Sequence, residues 1–188
     1  MKIILASGSP RRFELMKSLG LEFDVYRPDV DESMIDGELP HELCMRLSRL
    51  KAQAGADKFP DSLIIAADTI VVIDDLILGK PHNRHDAFTM LKRLQGRWHE
   101  VITGVSVCVN QNILTHDEHT RVKFRDMNDD EIHAYVSTGE CDDKAGAYAV
   151  QGYGSLLVER IEGDYFNVVG LPLCSLGRML NVFGMKIF

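Results

Sequence analysis

The chain has no excess of positive charge. Its 28 Asp and Glu outnumber 21 Lys and Arg, giving a net charge of −7 with histidine neutral. That balance argues against sequence-independent binding to a nucleic-acid polymer, which needs a broad basic surface. Long hydrophobic runs are also missing. No apolar stretch approaches the ~20 residues that span a bilayer, so no membrane association is expected. Before Ser7 there is one Lys and only about four apolar residues, too few for the core of a secretory leader, and a cytoplasmic location is expected. No C-x-x-C pair occurs. Cys44, Cys108, Cys141 and Cys174 are widely spaced, which fits buried free thiols in a reducing compartment. His82-x-x-His85 and His116-x-x-His119 have no Cys partner and fall short of a closed four-ligand zinc site. Repeats, low-complexity tracts and linkers are absent as well. What remains is an ordinary globular composition, 45% hydrophobic and 26% charged over 188 residues. A single domain over residues 1–188 is expected, long enough to bury a real core.

The periodicities alternate between strand and helix. Ile3 to Ala6 reads as a strand, and a helix with Leu15, Met16 and Leu19 on one face follows, stopping at Gly20. Phe23 to Arg27 reads as a second strand. Leu39, Leu43, Leu47, Leu50 and Ala54 recur at helical spacing, predicting an amphipathic helix from about 40 to 57. Ser62 to Ala67 is a short apolar run suited to a strand buried on both faces. Asp68-Thr69 then separates it from a further β-rich stretch, Ile70 to Ile73. Asp74-Asp75 is a hairpin turn into Leu76 to Leu78. Phe88, Leu91 and Leu94 mark another helix. Two long β segments, about 98–109 and 113–125, meet at Asn110-Gln111-Asn112. Asn128 with Glu131 forms a capping box that opens a helix ending near Gly139. Residues 142–154 are Gly-rich and irregular, 155–161 reads as a strand, and 172–183 as a last helix. Interleaved helices and strands with hairpins predict a mixed α/β sheet flanked by helices.

Four places carry candidate chemistry. Ser7-Gly8-Ser9-Pro10-Arg11-Arg12 sits at a strand-to-helix turn, where free N–H groups, the helix dipole and two guanidiniums would receive an anion such as phosphate. The ordinary alternative is a capped helix with a solvated Arg pair. Asp68 follows a buried strand, at the carboxyl end where open α/β sheets place their ligand crevices, and a buried carboxylate there calls for a partner. Its alternative is a turn cap. Glu32 lies in the acidic loop Asp29 to Glu32, which alone reads as solvated surface. Lys51 and Lys80, if they converge with the arginines and one or two carboxylates, describe a triphosphate site. Carboxylates beside phosphates imply a divalent cation, Mg²⁺ or Mn²⁺, between them. Lastly, Asp142 to Gly152 offers small residues for a flat base, with Gln151 carrying a donor–acceptor pair suited to a uracil or thymine edge. Its alternative is an Ω-like loop packed by Tyr148.

Taken in order, Ser7-Gly8-Ser9-Pro10-Arg11-Arg12, Ala67-Asp68-Thr69, Gly79-Lys80-Pro81, Thr103-Gly104-Val105, Asp143 to Tyr148 and Gly170 to Leu173 resemble the Maf family of nucleoside triphosphate pyrophosphatases over nearly the whole chain. The resemblance implies an elongated mixed α/β fold with a cleft between two lobes, similar to inosine triphosphate pyrophosphatases, and usually a homodimer. It implies a hydrolase with a house-cleaning role that acts on the α–β phosphoanhydride bond with a divalent cation. Carried to matching positions, it makes Asp68 the catalytic carboxylate, as proton acceptor or as holder of the metal, and Glu32 a metal-associated acid. Arg12, Lys51 and Lys80 become phosphate contacts, alongside Ser7 and Ser9 of the turn. Arg11, Thr69 and Gln151 are tied to substrate choice. The Gly-Ala-Tyr…Gln-Gly form of the 143–152 loop is similar to the branch acting on dTTP and UTP. Two alternatives are a 7-methyl-GTP pyrophosphatase and a nucleotide-binding regulator of septum formation.

Overall fold

A computed structural model describes all residues, 1–188. Its strands are β1 (Lys2–Ala6), β2 (Asp24–Tyr26), β3 (Ser62–Ile73), β4 (Leu76–Leu78), β5 (Trp98–Val109), β6 (Asn112–Phe124) and β7 (Val158–Glu162). Its helices are α1 (Pro10–Ser18), α2 (Pro40–Lys58), α3 (Arg84–Leu94), α4 (Asp129–Ser137), α5 (Tyr165–Val169) and α6 (Leu173–Val182). The strands form one mixed sheet in the order β2-β1-β3-β5-β6-β7, with β4 pairing off the path to β3. The fold class is therefore α/β, as the alternating periodicities imply.

The chain divides into two compact units. The first comprises Met1–Asp68, Thr103–Glu118 and Gly170–Phe188. Here β1 is parallel to β2 and to β3, with Leu5 level with Val25 on one side and with Ile65 on the other. A strand paired on both sides and covered by helices is apolar throughout, and Ile3 to Ala6 are all buried. Its core joins Ile4, Ala6, Ala52, Ala56, Ile64, Ala66 and Cys108. The second unit comprises Thr69–Ile102 and His119–Val169. Its core includes Leu91, Leu94, Phe124, Ile132 and Tyr148, drawn from α3, α4, β6 and the 145–157 segment.

Local chemistry accounts for the element ends. Asp74 and Asp75 both adopt positive φ in the β3–β4 hairpin, as do Asn110 and Gln111 between β5 and β6. Two consecutive left-handed residues make the tight turn whose twist matches the flanking strands. The predicted three-residue turn is thus a two-residue turn, and Asn112 already belongs to β6. At α4 the capping box forms as the sequence implies: Glu131 N donates to Asn128 Oδ1, and Asn128 N donates to Glu131 Oε2, both at 2.9 Å.

Two expectations change. β3 is one continuous strand, so Asp68 lies within it rather than at its carboxyl end. The strand outlasts the Asp-Thr interruption inside a paired sheet: β1 pairs with it through Ile65, β4 pairs with it from Val71, and β5 is its hydrogen-bonded neighbour on the other side. The buried face of α2 is also only partly the leucine stripe. Leu43 and Leu47 are buried as the spacing implies, but Leu39 and Leu50 are 53% and 40% exposed, and Cys44, Ser48, Lys51, Ala52, Gly55 and Ala56 complete the buried face. Small residues face inward because the helix lies very close to the sheet.

Candidate active site

The closeness of α2 to the strands begins with two glycines. A Cβ on Gly104 of β5 would fall 2.3 Å from the Cys44 carbonyl oxygen of α2. A Cβ on Gly55 of α2 would fall 2.6 Å from Ile64 Cγ2 of β3. Only glycine permits the approach at both points. Between them Ser48 Oγ lies 2.9 Å from Ser106 Oγ, which lies 2.9 Å from Thr115 Oγ1, so the hydroxyls of α2, β5 and β6 satisfy one another. Lys51, one turn beyond Ser48, is thereby carried to β3.

There its ammonium meets two carboxylates. Lys51 Nζ is 2.6 Å from Asp68 Oδ1 and 2.7 Å from Glu32 Oε1. The Lys51 and Asp68 side chains are 11% and 13% exposed, whereas Glu32 is 57% exposed. Glu32 reaches this point from a loop without regular structure, and its placement has a local cause. Ser33 N donates to Asp31 Oδ1 at 2.9 Å, an Asx turn with Glu32 at its apex. The Ser33 carbonyl in turn accepts from Arg46 Nη2 at 2.9 Å. Arg46 also grips Glu38 with two parallel bonds, Nε to Oε1 at 2.6 Å and Nη2 to Oε2 at 2.7 Å. That fork holds the Glu38 carboxyl below the usual carboxylate range. Arg46 and Glu38 are working parts of the loop that the sequence reading missed; nothing in their spacing announces the pairing.

The strand-to-helix turn forms as expected. Ser9 is the N-cap of α1, accepting from Arg12 N, and Pro10 is the first helical residue. Ser7 is buried and accepts from Ser9 N and from Arg12 Nη1, both at 3.2 Å. Arg12 Nε donates to the Gly170 carbonyl at 2.7 Å, which ties the Gly170-Leu171-Pro172-Leu173 motif to the turn. Burial lowers the pKa of this guanidinium, and the negative charge of Asp68 works against that shift; the neighbouring Arg11 adds to it. Arg12 is thus a fixed, half-buried cation in the electrostatic reach of Asp68 and Glu32.

Of the residues singled out from sequence, Ser7, Ser9, Arg11, Arg12, Glu32, Lys51 and Asp68 belong to the first unit. Lys51 joins Glu32 and Asp68 directly, and Arg12 joins them through its charge. Thr69, Lys80 and Gln151 belong to the second unit. Thr69 is half-buried in β3, and Lys80 and Gln151 are exposed. The Gly79-Lys80-Pro81 motif is fastened to the 143–148 motif through Gly146 N, which donates to the Gly79 carbonyl at 3.0 Å.

The two carboxylates on Lys51 suit a hard divalent cation. They supply oxygen donors at one point, and no set of three or more His, Cys, Asp or Glu gathers anywhere in the chain. Mg²⁺ typically takes one or two carboxylates and fills its octahedron with phosphate oxygens and water. Glu32 and Asp68 fit that donor set.

Residues 2–183 match the family described as Maf-like protein. The chain belongs to the Maf family. Among curated relatives, a dTTP/UTP pyrophosphatase of Clostridioides difficile (strain 630) is 45% identical, over 100% of this chain and 98% of the relative. A dTTP/UTP pyrophosphatase of Thermoanaerobacter sp. (strain X514) is 50% identical, over 96% of each chain. Among solved structures, a nucleoside-triphosphatase/dITP/XTP pyrophosphatase from Mycobacterium abscessus is 14% identical with a TM-score of 0.48, over 97% of this chain and 98% of that one. In this Maf chain the motifs at 7–12 and 170–173, with Ala67 and Asp68, belong to one compact unit, and Thr69 with the motifs at 79–81 and 143–148 to the other. No helix is long and apolar enough to cross a membrane.

Proposed function

We propose that this chain hydrolyses dTTP and UTP to the nucleoside monophosphate and pyrophosphate. The observation that carries the reading is the meeting of Asp68, Glu32 and Lys51 within electrostatic reach of the half-buried Arg12. The substrate class is supported by relatives at 45–50% identity that bear the name dTTP/UTP pyrophosphatase. Water attacks the α-phosphorus; its oxygen forms the new bond to phosphorus, and the bond to the α–β bridging oxygen breaks. Pyrophosphate leaves with that oxygen. Asp68 accepts the proton that the water loses. Arg12, Lys51 and Lys80, with Ser7 and Ser9, hold the phosphates and offset charge on the leaving group. Arg11, Thr69 and Gln151 select the nucleotide. Glu32 and Asp68 would hold a divalent cation, which when bound polarises phosphoryl oxygens and lowers the pKa of a coordinated water. The reading includes a cytoplasmic setting, supported by four free thiols that suit a reducing compartment.

Asp68→Asn keeps the size and shape of the side chain and removes its basicity. Pyrophosphate release from dTTP is expected to fall by about 10²–10⁴-fold, the usual contribution of a positioned general base. Chelation of divalent ions is expected to stop release in the parent protein, and added Mg²⁺ to restore it. An Asp68→Asn protein that is folded by circular dichroism and turns over at the parent rate would refute the assignment.

A further inference from the structure

The second unit contains a carboxylate to which none of the roles above applies. Glu140 lies three residues beyond α4, half-buried, and accepts three hydrogen bonds. Tyr153 N donates to its Oε1 at 3.0 Å, Gly154 N donates to its Oε2 at 2.8 Å, and the Tyr135 hydroxyl donates to the same Oε2 at 2.9 Å. The Tyr135 oxygen also accepts from Ala149 N at 3.2 Å. The backbone is therefore fastened at 149 on one side and at 153–154 on the other. Gln151 lies between the fastenings with its side chain exposed.

Two glycines make the approach possible. A Cβ on Gly152, whose φ is +65°, would fall 2.1 Å from Glu140 Oε1. A Cβ on Gly154 would fall 2.0 Å from the Ala149 carbonyl oxygen and 3.0 Å from the Tyr135 hydroxyl. Tyr135 is 5% exposed, and burial pushes its phenol pKa up, so it keeps the proton it donates. A carboxylate suits this place because it is acceptor-only and offers several lone pairs to three converging donors.

We propose that Glu140 is a positioning residue for base discrimination: with the Tyr135 hydroxyl it clasps the backbone on both sides of Gln151 and fixes where that amide meets the pyrimidine edge. The inference rests on the proposed reading of Gln151 as a specificity residue. A uracil or thymine presents an N3–H donor flanked by carbonyl acceptors, and a cytosine presents the reverse at N3 and C4. An amide held at a fixed point can favour the first arrangement; one carried on a loose loop adapts to either.

The test is Glu140→Gln. It preserves shape but turns half of the acceptor into an amide donor facing a backbone N–H. Pyrophosphate release is measured for dTTP, UTP, dCTP and GTP, in the parent, in Glu140→Gln, in Gln151→Ala and in the double variant. Glu140→Gln is expected to raise KM for dTTP and UTP about tenfold with kcat within about twofold, and to lower the dTTP:dCTP ratio of kcat/KM by a similar factor. In the Gln151→Ala background it is expected to change that ratio no further, because both substitutions act through one amide. Tyr135→Phe, which leaves Ala149 N without its acceptor, is expected to give a smaller shift in the same direction. Hydrogen exchange at the Tyr153 and Gly154 amides is expected to quicken in Glu140→Gln, a readout independent of turnover. An unchanged dTTP:dCTP ratio, an equal loss of kcat on all four nucleotides, or full additivity with Gln151→Ala would overturn the proposal. A parent protein that releases pyrophosphate from none of the four would instead overturn the function reading. The exchange rates would then still test the clasp.

Discussion

Lys51→Met removes the ammonium that joins Glu32 to Asp68 while keeping an unbranched apolar stem in the same space. Its cost follows from the exposures of the three partners. Lys51 and Asp68 are each close to nine-tenths buried, so the variant leaves a carboxylate with little access to water. Removing one member of a buried pair costs about 3–5 kcal/mol. Arg12 remains within electrostatic reach of Asp68, which puts the expectation at the lower end, about 3 kcal/mol. Glu32 is more than half exposed, and its contact with Lys51 contributes under about 1 kcal/mol. For a chain of this length, 1 kcal/mol shifts Tm by about 2–4 °C, so Lys51→Met should melt about 6–12 °C lower. Urea unfolding followed by circular dichroism measures the same difference. The decisive variant is Lys51→Met/Asp68→Asn, in which the buried charge is gone as well. It should recover about 1–3 kcal/mol relative to the sum of the two single changes. A Lys51→Met protein within 1 kcal/mol of the parent, or a double variant that is simply additive, would refute the claim that Lys51 and Asp68 form a buried, coupled pair.

Gly104→Ala places a methyl 2.3 Å from a helix carbonyl that no side-chain rotation can move, so α2 must retreat. We expect a loss of about 1–3 kcal/mol in urea unfolding together with slower pyrophosphate release, and parent-like values in both would show that the close approach does not set the site. His99 is 4% exposed, donates to or accepts from the Tyr148 hydroxyl at 2.8 Å through Nε2, and has its pKa lowered by burial to about 3. Since the unfolded chain takes up that proton at a higher pH, stability is complete above about pH 6.5 and falls with decreasing pH, by about 1.4 kcal/mol per unit, until about pH 3. His99→Leu should lose one proton's worth of that slope in pH-dependent unfolding, and an unchanged slope would mean that His99 is charged in the folded state.

Where short-range chemistry decides the structure, the sequence was a good guide. Asp74-Asp75 and the Asn128–Glu131 box act within four residues, and both form as read. The expected helix from about 40 to 57 exists as Pro40–Lys58 with Leu43 and Leu47 buried, yet its inward face runs past them onto small residues rather than to Leu39 and Leu50. Hydrophobic periodicity weighs large side chains most, so it turns Leu39 and Leu50 inward along with Leu43 and Leu47. The actual contact is governed by how near two backbones come, which selects Ser48, Ala52 and Gly55 and brings Lys51 with them. The change from an apolar run to Asp68-Thr69 reads locally as a strand end, with a turn cap as the alternative, whereas β3 runs through it in a sheet where its neighbours β1 and β5 come from distant parts of the chain. The short helix α5 has no periodic signature at five residues and was not foreseen. The candidate site divides along the same line. Its residue types were visible as motifs, but the Arg46–Glu38 fork and the Glu140 clasp depend on long-range geometry that no local spacing encodes.

The charges at Arg12, Lys51, Glu32 and Asp68 cancel formally, two positive against two negative. That balance explains how an acidic chain can bury two of them at all: each is compensated by a neighbour rather than by water. It also limits what the cluster does alone. A phosphate chain meeting a neutral cluster on an acidic protein gains little net attraction, since Lys51 is already held by two carboxylates and Arg12 lies in the field of Asp68 and Glu32. On the proposed function, such a ligand would bring further positive charge with it, so that the carboxylates would keep a partner while Lys51 and Arg12 turn to phosphate oxygens. A divalent ion coordinated to the incoming phosphates would supply that charge and would match the hard oxygen donors of Glu32 and Asp68. On the proposed function, the same two carboxylates that would repel a bare triphosphate would therefore favour one that arrives with its metal.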